Sequence, residues 1–198
     1  QLGALTGETV ITLGSGGNGP LIELASLIEY AEAQEPQTVL WLYYGNDLNN
    51  LVQETSVPLL MQYLGPGESQ GLLYKQREID ERLGEYISEA EARAERQTPV
   101  SRKSLWSNLW LKMGWLRFGN IRVLTGIDYY VYPLLGDILR EARNRVTAWG
   151  GKIYFVHLPE YGRYTNASRV YDPYRKQDKL LHALVDSVGI PIIDIHRE

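Results

Sequence analysis

The sequence predicts a mixed α/β fold, a three-layer α/β/α sandwich on a parallel sheet with one helical insertion. Three observations carry this reading. Short apolar runs rich in β-branched residues recur at TVLWLYY (38–44), KIYFVHL (152–158) and IPIIDI (190–195). Segments with apolar residues at helical spacing lie between them. Strands that alternate with helices pair in parallel, and the crossover helices cover both faces of the sheet.

The elements follow in chain order. TVITL (9–13) is β-branched and reads as the first strand. It breaks into the glycine-rich loop GSGGNGP (14–20). LIELASLIEYAEA (21–33) sets Leu21, Leu24, Ala25, Leu27, Ile28 and Ala31 at helical spacing. Pro36 clears the way for TVLWLYY, which stops on Gly45, Asn46 and Asp47. Strand, loop, helix and strand make a βαβ unit with a right-handed crossover.

Residues 48–129 contain no run that reads as a strand. They far exceed the dozen or so residues that a crossover needs, so they read as a helical insertion in a single domain spanning 1–198. Within them, QREIDERLGEYISEAEARAERQ (76–97) has Ile79, Leu83, Tyr86, Ile87 and Ala90 on one side, an amphipathic helix with a solvated charged face. SRKSLWSNLWLKMGWLRFGNIR (101–122) is basic and carries Trp106, Trp110 and Trp115. The Trp106–Trp115 segment reads as a cap helix on the body of the domain. A lid over a cleft and a membrane-surface helix are the other readings. Then come a helix at 129–149 ended by Gly150-Gly151, the strand KIYFVHL, a helix at 174–188 with Gly189 as its C-cap, and the strand IPIIDI.

Composition narrows the chemistry. A net charge of −4 gives no global attraction to nucleic acid, so no nucleic-acid partner is expected. The absence of cysteine excludes disulfides, thiolate nucleophiles and cysteine-based metal sites. The three histidines lack an H-x-x-x-H spacing, so no metal site and no cofactor are expected. No segment is apolar for long enough to span a bilayer, and the first residues carry no signal-peptide pattern. Compartment is left open.

The chemistry that remains concentrates at strand ends. In a parallel sheet, carboxyl ends of neighbouring strands point the same way, and α/β proteins bind ligands there. If the first two strands are adjacent, GSGGNGP and GNDLNN meet at one edge. The glycine loop offers backbone N–H groups at a helix start, which favours negative charge. Asn46 adds a side-chain amide donor. Together they suit an oxyanion hole. The plainer reading is that Gly45, Asn46 and Asp47 simply form a turn. A dinucleotide-binding G-x-G-x-x-G is matched at 14–19, but the next strand ends on Tyr43-Tyr44-Gly45-Asn46 without the expected acidic residue. No Gly-Lys-Ser/Thr follows the glycines, so this is not a P-loop.

TLGSGGNGPL, a helix, and then VLWLYYGNDL resemble the second and third sequence blocks of the SGNH hydrolases, the GDSL esterase/lipase superfamily. KIYFVHLPEYGRY and GIPIIDI look like later strands of its bacterial members, so the likeness covers most of the chain outside the insertion. The resemblance implies a flavodoxin-like sheet and a serine hydrolase acting on a small-molecule or glycan ester, as an esterase, lipase or carbohydrate O-acyl esterase. It also implies that Gly17 and Asn46 help form the oxyanion hole. The third block departs from the pattern. Aligned on Asn46-Asp47, the family's Gly falls on Tyr44, and Gly45 takes the variable place.

The family's nucleophile lies in a Gly-Asp-Ser block after the first strand, which has no counterpart here. Ser15 reads as a local backbone-bonding residue instead. The family's base is a His three residues after an Asp. Asp194 and His196 are two apart, so His196 is the candidate base, out of register by one. His157 and His182 read as structural. The chain is therefore expected to be an interior portion of such an enzyme. The alternative is a non-catalytic α/β module of the same fold that binds a glycan or a protein. Its 14 tyrosines and 5 tryptophans suit sugar stacking as well as a core.

Overall fold

Three parallel strands frame a mixed α/β structure. The computed structural model describes residues 2–96, 128–158 and 175–195. In chain order the elements are α1 (Leu2–Thr6), α2 (Pro20–Ser26), β1 (Thr38–Tyr43), α3 (Asp47–Glu54), α4 (Pro58–Gln62), α5 (Gln76–Arg96), α6 (Asp128–Ala148), β2 (Lys152–His157), α7 (Arg175–Val188) and β3 (Ile192–Asp194). A π turn at Leu27–Ala31 and a 3-10 turn at Glu32–Gln34 extend α2, and a 3-10 turn at Leu72–Lys75 precedes α5.

The sheet has the order β1-β2-β3, with both pairs parallel. Tyr43 pairs with His157, and His157 with Asp194, so the carboxyl ends of all three strands align at one edge. On one face Trp41, Tyr43, Ile153 and Phe155 are buried, and the Tyr43 and Phe155 rings lie 5.4 Å apart. Leu135, Ile138, Leu139, Ala142 and Val146 recur at helical spacing along α6 and are fully buried. The other face is partly exposed among the described residues. Leu40 and Leu42 are 43% and 50% exposed, and Ile193 is exposed across β2 from Leu42, while Val156 between them is buried.

Glycines end two of the long helices as their positions suggest. Gly150 has φ +83, its N–H donates to the Thr147 carbonyl, and the Gly151 N–H donates to the Val146 carbonyl. Gly189, with φ +76, closes α7 in the same 5→2 and 6→1 pattern.

The strand expected at TVITL (9–13) does not form. Residues 9–13 pair with no strand, and Val10 and Ile11 are about half exposed. A strand is stabilised by ladder hydrogen bonds and by burial of a face, and this run has neither. β1 and 9–13 are therefore not sheet neighbours, and the glycine loop is held by other contacts. The helix after it is also less regular than its spacing suggests. Its π turn buries Leu27, Ile28, Glu29 and Ala31 together, and the buried Glu29 carboxylate accepts from Tyr63 Oη at 2.8 Å and from the Gln70 N–H.

The chain divides into two compact units, one of residues 1–70 and 131–198, the other of residues 71–130. The helices α3 and α4 belong to the first, where they pack with α2. In the second unit α5 is laced by exposed ion pairs, Arg82–Glu85 and Glu89–Arg93 at 3.2 Å each, of the kind worth a few tenths of a kcal/mol. The tryptophan segment 106–115 lies outside the described residues. Among the described residues, no helix is long and apolar enough to cross a membrane.

Candidate functional site at the carboxyl ends of the strands

β1 leaves its sheet through a tight turn. Asp47 N–H donates to the Tyr44 carbonyl at 2.9 Å, and Tyr44 N–H donates back to Asp47 Oδ2 at 2.8 Å. This pair of bonds explains why Asp47 is buried. Asn46 then stands at the N-cap of α3, its carbonyl accepting from Asn49 and Asn50. Its side chain makes no capping hydrogen bond and is exposed. Asp47 thus fixes the turn that displays the Asn46 amide.

The glycine loop reaches the same place by a different route from the one expected. Gly17 sits at φ +93 as the third residue of a turn closed by Asn18 N–H to Ser15 carbonyl at 3.2 Å, the position where a type II turn needs positive φ. An added Cβ at Gly17 would meet nothing within 4 Å, so that face of the loop is open. Ser15 is exposed in the same turn. The loop is fastened to α3 rather than to a strand. Asn50 Nδ2 donates to the Asn18 carbonyl at 3.2 Å, and the buried Glu54 carboxylate accepts from Gly19 N–H at 2.6 Å and Leu21 N–H at 2.9 Å. Glu54 therefore caps α2 from outside, satisfying donors that a helix start leaves unpaired, with Pro20 supplying none. Gly17 and Asn46 consequently lie on two loops bound to one helix.

A second acidic group follows from this packing. Burial raises the Glu23 carboxyl to about 8, with the negative charges of Asp47 and Glu54 adding to it. Glu23 Oε2 is buried with no hydrogen-bond partner among the described residues. Burial likewise raises Asp47 to about 6, opposed by the Tyr44 N–H bond and reinforced by Glu54. Both groups bind protons more tightly folded than unfolded. Their contribution to stability is complete below the ordinary carboxylate range and is lost as pH rises to about 6 for Asp47 and about 8 for Glu23. Glu23→Gln, neutral at every pH, is expected to remove most of this loss. It should be more stable than the parent at pH 8 by on the order of 2–4 kcal/mol and nearly equal to it at pH 4.5. Urea unfolding at the two pH values measures this, and an unchanged pH slope in the variant would refute it.

The same sheet edge holds a cluster that sequence spacing conceals. His157 ends β2, Asp194 ends β3, and His182 comes from α7. His157 Nδ1 and His182 Nε2 are 3.0 Å apart, and the two rings meet edge to face. The signal was positional: the last residues of two adjacent parallel strands, and Asp178 and His182 one helical turn apart. His196 lies outside the described residues. Comparisons of the chain with protein-family models, curated proteins and solved structures return no match.

Proposed function

We propose that the chain is part of an SGNH-type serine hydrolase acting on an ester. The observation that carries this is the fastening of the glycine loop and the Gly45-Asn46-Asp47 turn to α3, which sets the open loop at Gly17 and the exposed Asn46 amide on one structural unit. The proposed roles are backbone N–H donation from Gly17 and side-chain donation from Asn46 to the oxyanion of a tetrahedral intermediate. A serine from a Gly-Asp-Ser block attacks the ester carbonyl, a histidine takes its proton, and the acyl-enzyme is hydrolysed.

The reading also accounts for the open features of the sheet. In a flavodoxin-like order 2-1-3-4-5, β1-β2-β3 take the places of strands 3, 4 and 5. Strand 1 would pair with the outer edge of β1 and deliver the serine at its carboxyl end. A further helical layer over Leu40, Leu42 and Ile193 completes the three-layer sandwich.

Fluorophosphonate labelling of the full-length protein, read by intact mass and peptide mapping, tests the proposal. The expected result is one adduct on a Gly-Asp-Ser serine in a chain heavier than 22.6 kDa. A chain without an adduct would overturn it and favour a non-catalytic binding module of the same fold.

A further inference from the structure

β2 ends on His157 and β3 ends on its registered partner Asp194. Registered residues of a parallel pair project from the same face, so imidazole and carboxylate stand side by side. α7 places His182 against both. His182 Nε2 lies 3.0 Å from His157 Nδ1 and 4.0 Å from Asp194 Oδ2, and one ligand atom of each residue lies within 4.8 Å of the others. The site is enclosed: the His157, His182 and Asp194 side chains are 5%, 16% and 13% exposed.

We propose that His157, His182 and Asp194 form a binding site for a divalent first-row transition ion of the zinc class. Bonds of about 2.1 Å put the ligands of a tetrahedral ion about 3.4 Å apart, and the separations of 3.0 and 4.0 Å bracket that edge. Two imidazoles and one carboxylate are a three-ligand zinc set that leaves a fourth position for water. Calcium and magnesium take oxygen ligands, so the two nitrogens select against them.

An independent feature points the same way. His157 Nε2 lies 3.7 Å from Asp178 Oδ1, one turn before His182 on α7, longer than a hydrogen bond but within reach of one after a small movement of the carboxylate. A carboxylate on the far nitrogen of a ligating histidine fixes its tautomer, directs the near nitrogen at the metal and raises its basicity. The carboxylates of Asp178 and Asp194 together balance the charge of a divalent ion. The ion would tie α7 to the carboxyl ends of β2 and β3, so its binding stabilises the fold by mass action.

The test uses full-length protein stripped with a chelator and titrated with Zn2+, followed by thermal unfolding, and separately with Co2+, followed by visible absorption. The expected result is one ion per chain, a Tm raised by about 5 °C or more at a hundredfold excess over Kd, and cobalt bands of a low-coordinate nitrogen and oxygen site. Asp194→Asn and His182→Gln keep side-chain volume and should each bind at least about tenfold more weakly, and Asp178→Asn should also weaken binding by about tenfold or more. No uptake by the stripped parent would leave a histidine–histidine hydrogen bond and overturn the proposal. Parental affinity in both Asp194→Asn and His182→Gln would overturn it too, by placing the ion elsewhere. These readouts do not depend on ester hydrolysis, so they stand or fall apart from fluorophosphonate labelling.

Discussion

On the ester-hydrolase reading, Asn46→Ala lowers kcat of the complete enzyme by about 10²–10³, the cost of one oxyanion donor. The structure gives reason to expect this loss to be chemical rather than structural. The turn that carries Asn46 is closed by the two Tyr44–Asp47 hydrogen bonds, neither of which uses the Asn46 side chain. An N-cap asparagine normally stabilises its helix through the side chain, and here that bond is absent, so alanine removes little from α3. The variant should therefore keep its Tm within about 2 °C, since a cap worth well under 1 kcal/mol moves a chain of this size by only a few degrees. A donor that acts on charge developed in the transition state changes kcat and leaves KM nearly alone. Asn46→Asp, which replaces the donor with an acceptor, should be no better than alanine. Steady-state kinetics on any turned-over ester decides the matter. A kcat loss under roughly threefold would remove Asn46 from the mechanism.

Much of the frame was legible because it depends on local pattern. β1 and β2 are dense apolar runs bounded by turn residues, α5, α6 and α7 keep helical spacing over many turns, and α6 and α7 end on glycines. TVITL is β-branched and apolar like those strands, but a strand is the property of a pair. Val10 and Ile11 stay about half exposed because no strand among the described residues pairs with them. The two candidate sites differ in how far the sequence shows them. Asn46 and Gly17 stand out as a polar tip and a glycine loop after apolar runs. His157, His182 and Asp194 come from three elements and meet only through parallel register and the lie of α7, which no spacing rule encodes. Glu54 is the plainest case. No pattern in the sequence marks it, yet it is buried because the N–H groups of Gly19 and Leu21 need an acceptor.

Glu54→Ala follows from that last point and should be the most destabilising single change in the sheet-bearing unit's loop region. It removes two hydrogen bonds to a carboxylate, each worth about 1.5–3 kcal/mol, and strands the Gly19 and Leu21 N–H groups away from water. One effect opposes this. Glu54 adds to the negative field that raises Glu23 and Asp47, so its removal relieves repulsion. The net cost is expected near 3 kcal/mol, a Tm lowered by about 6–12 °C for a chain of this size. Glu54→Gln retains one acceptor oxygen and should lose about half as much. Gly19→Ala attacks the same contact from the other side, because a Cβ there would lie 2.8 Å from Asn50 Cβ, Glu54 Cδ and Glu54 Oε1. It should loosen the loop even with the carboxylate in place. The pattern separates two kinds of residue at one edge: Asn46→Ala leaves Tm in place and lowers kcat, whereas Glu54→Ala and Gly19→Ala lower Tm and release the loop that presents Gly17. A Tm within about 2 °C of the parent for Glu54→Ala would show that the glycine loop is held by something other than this carboxylate.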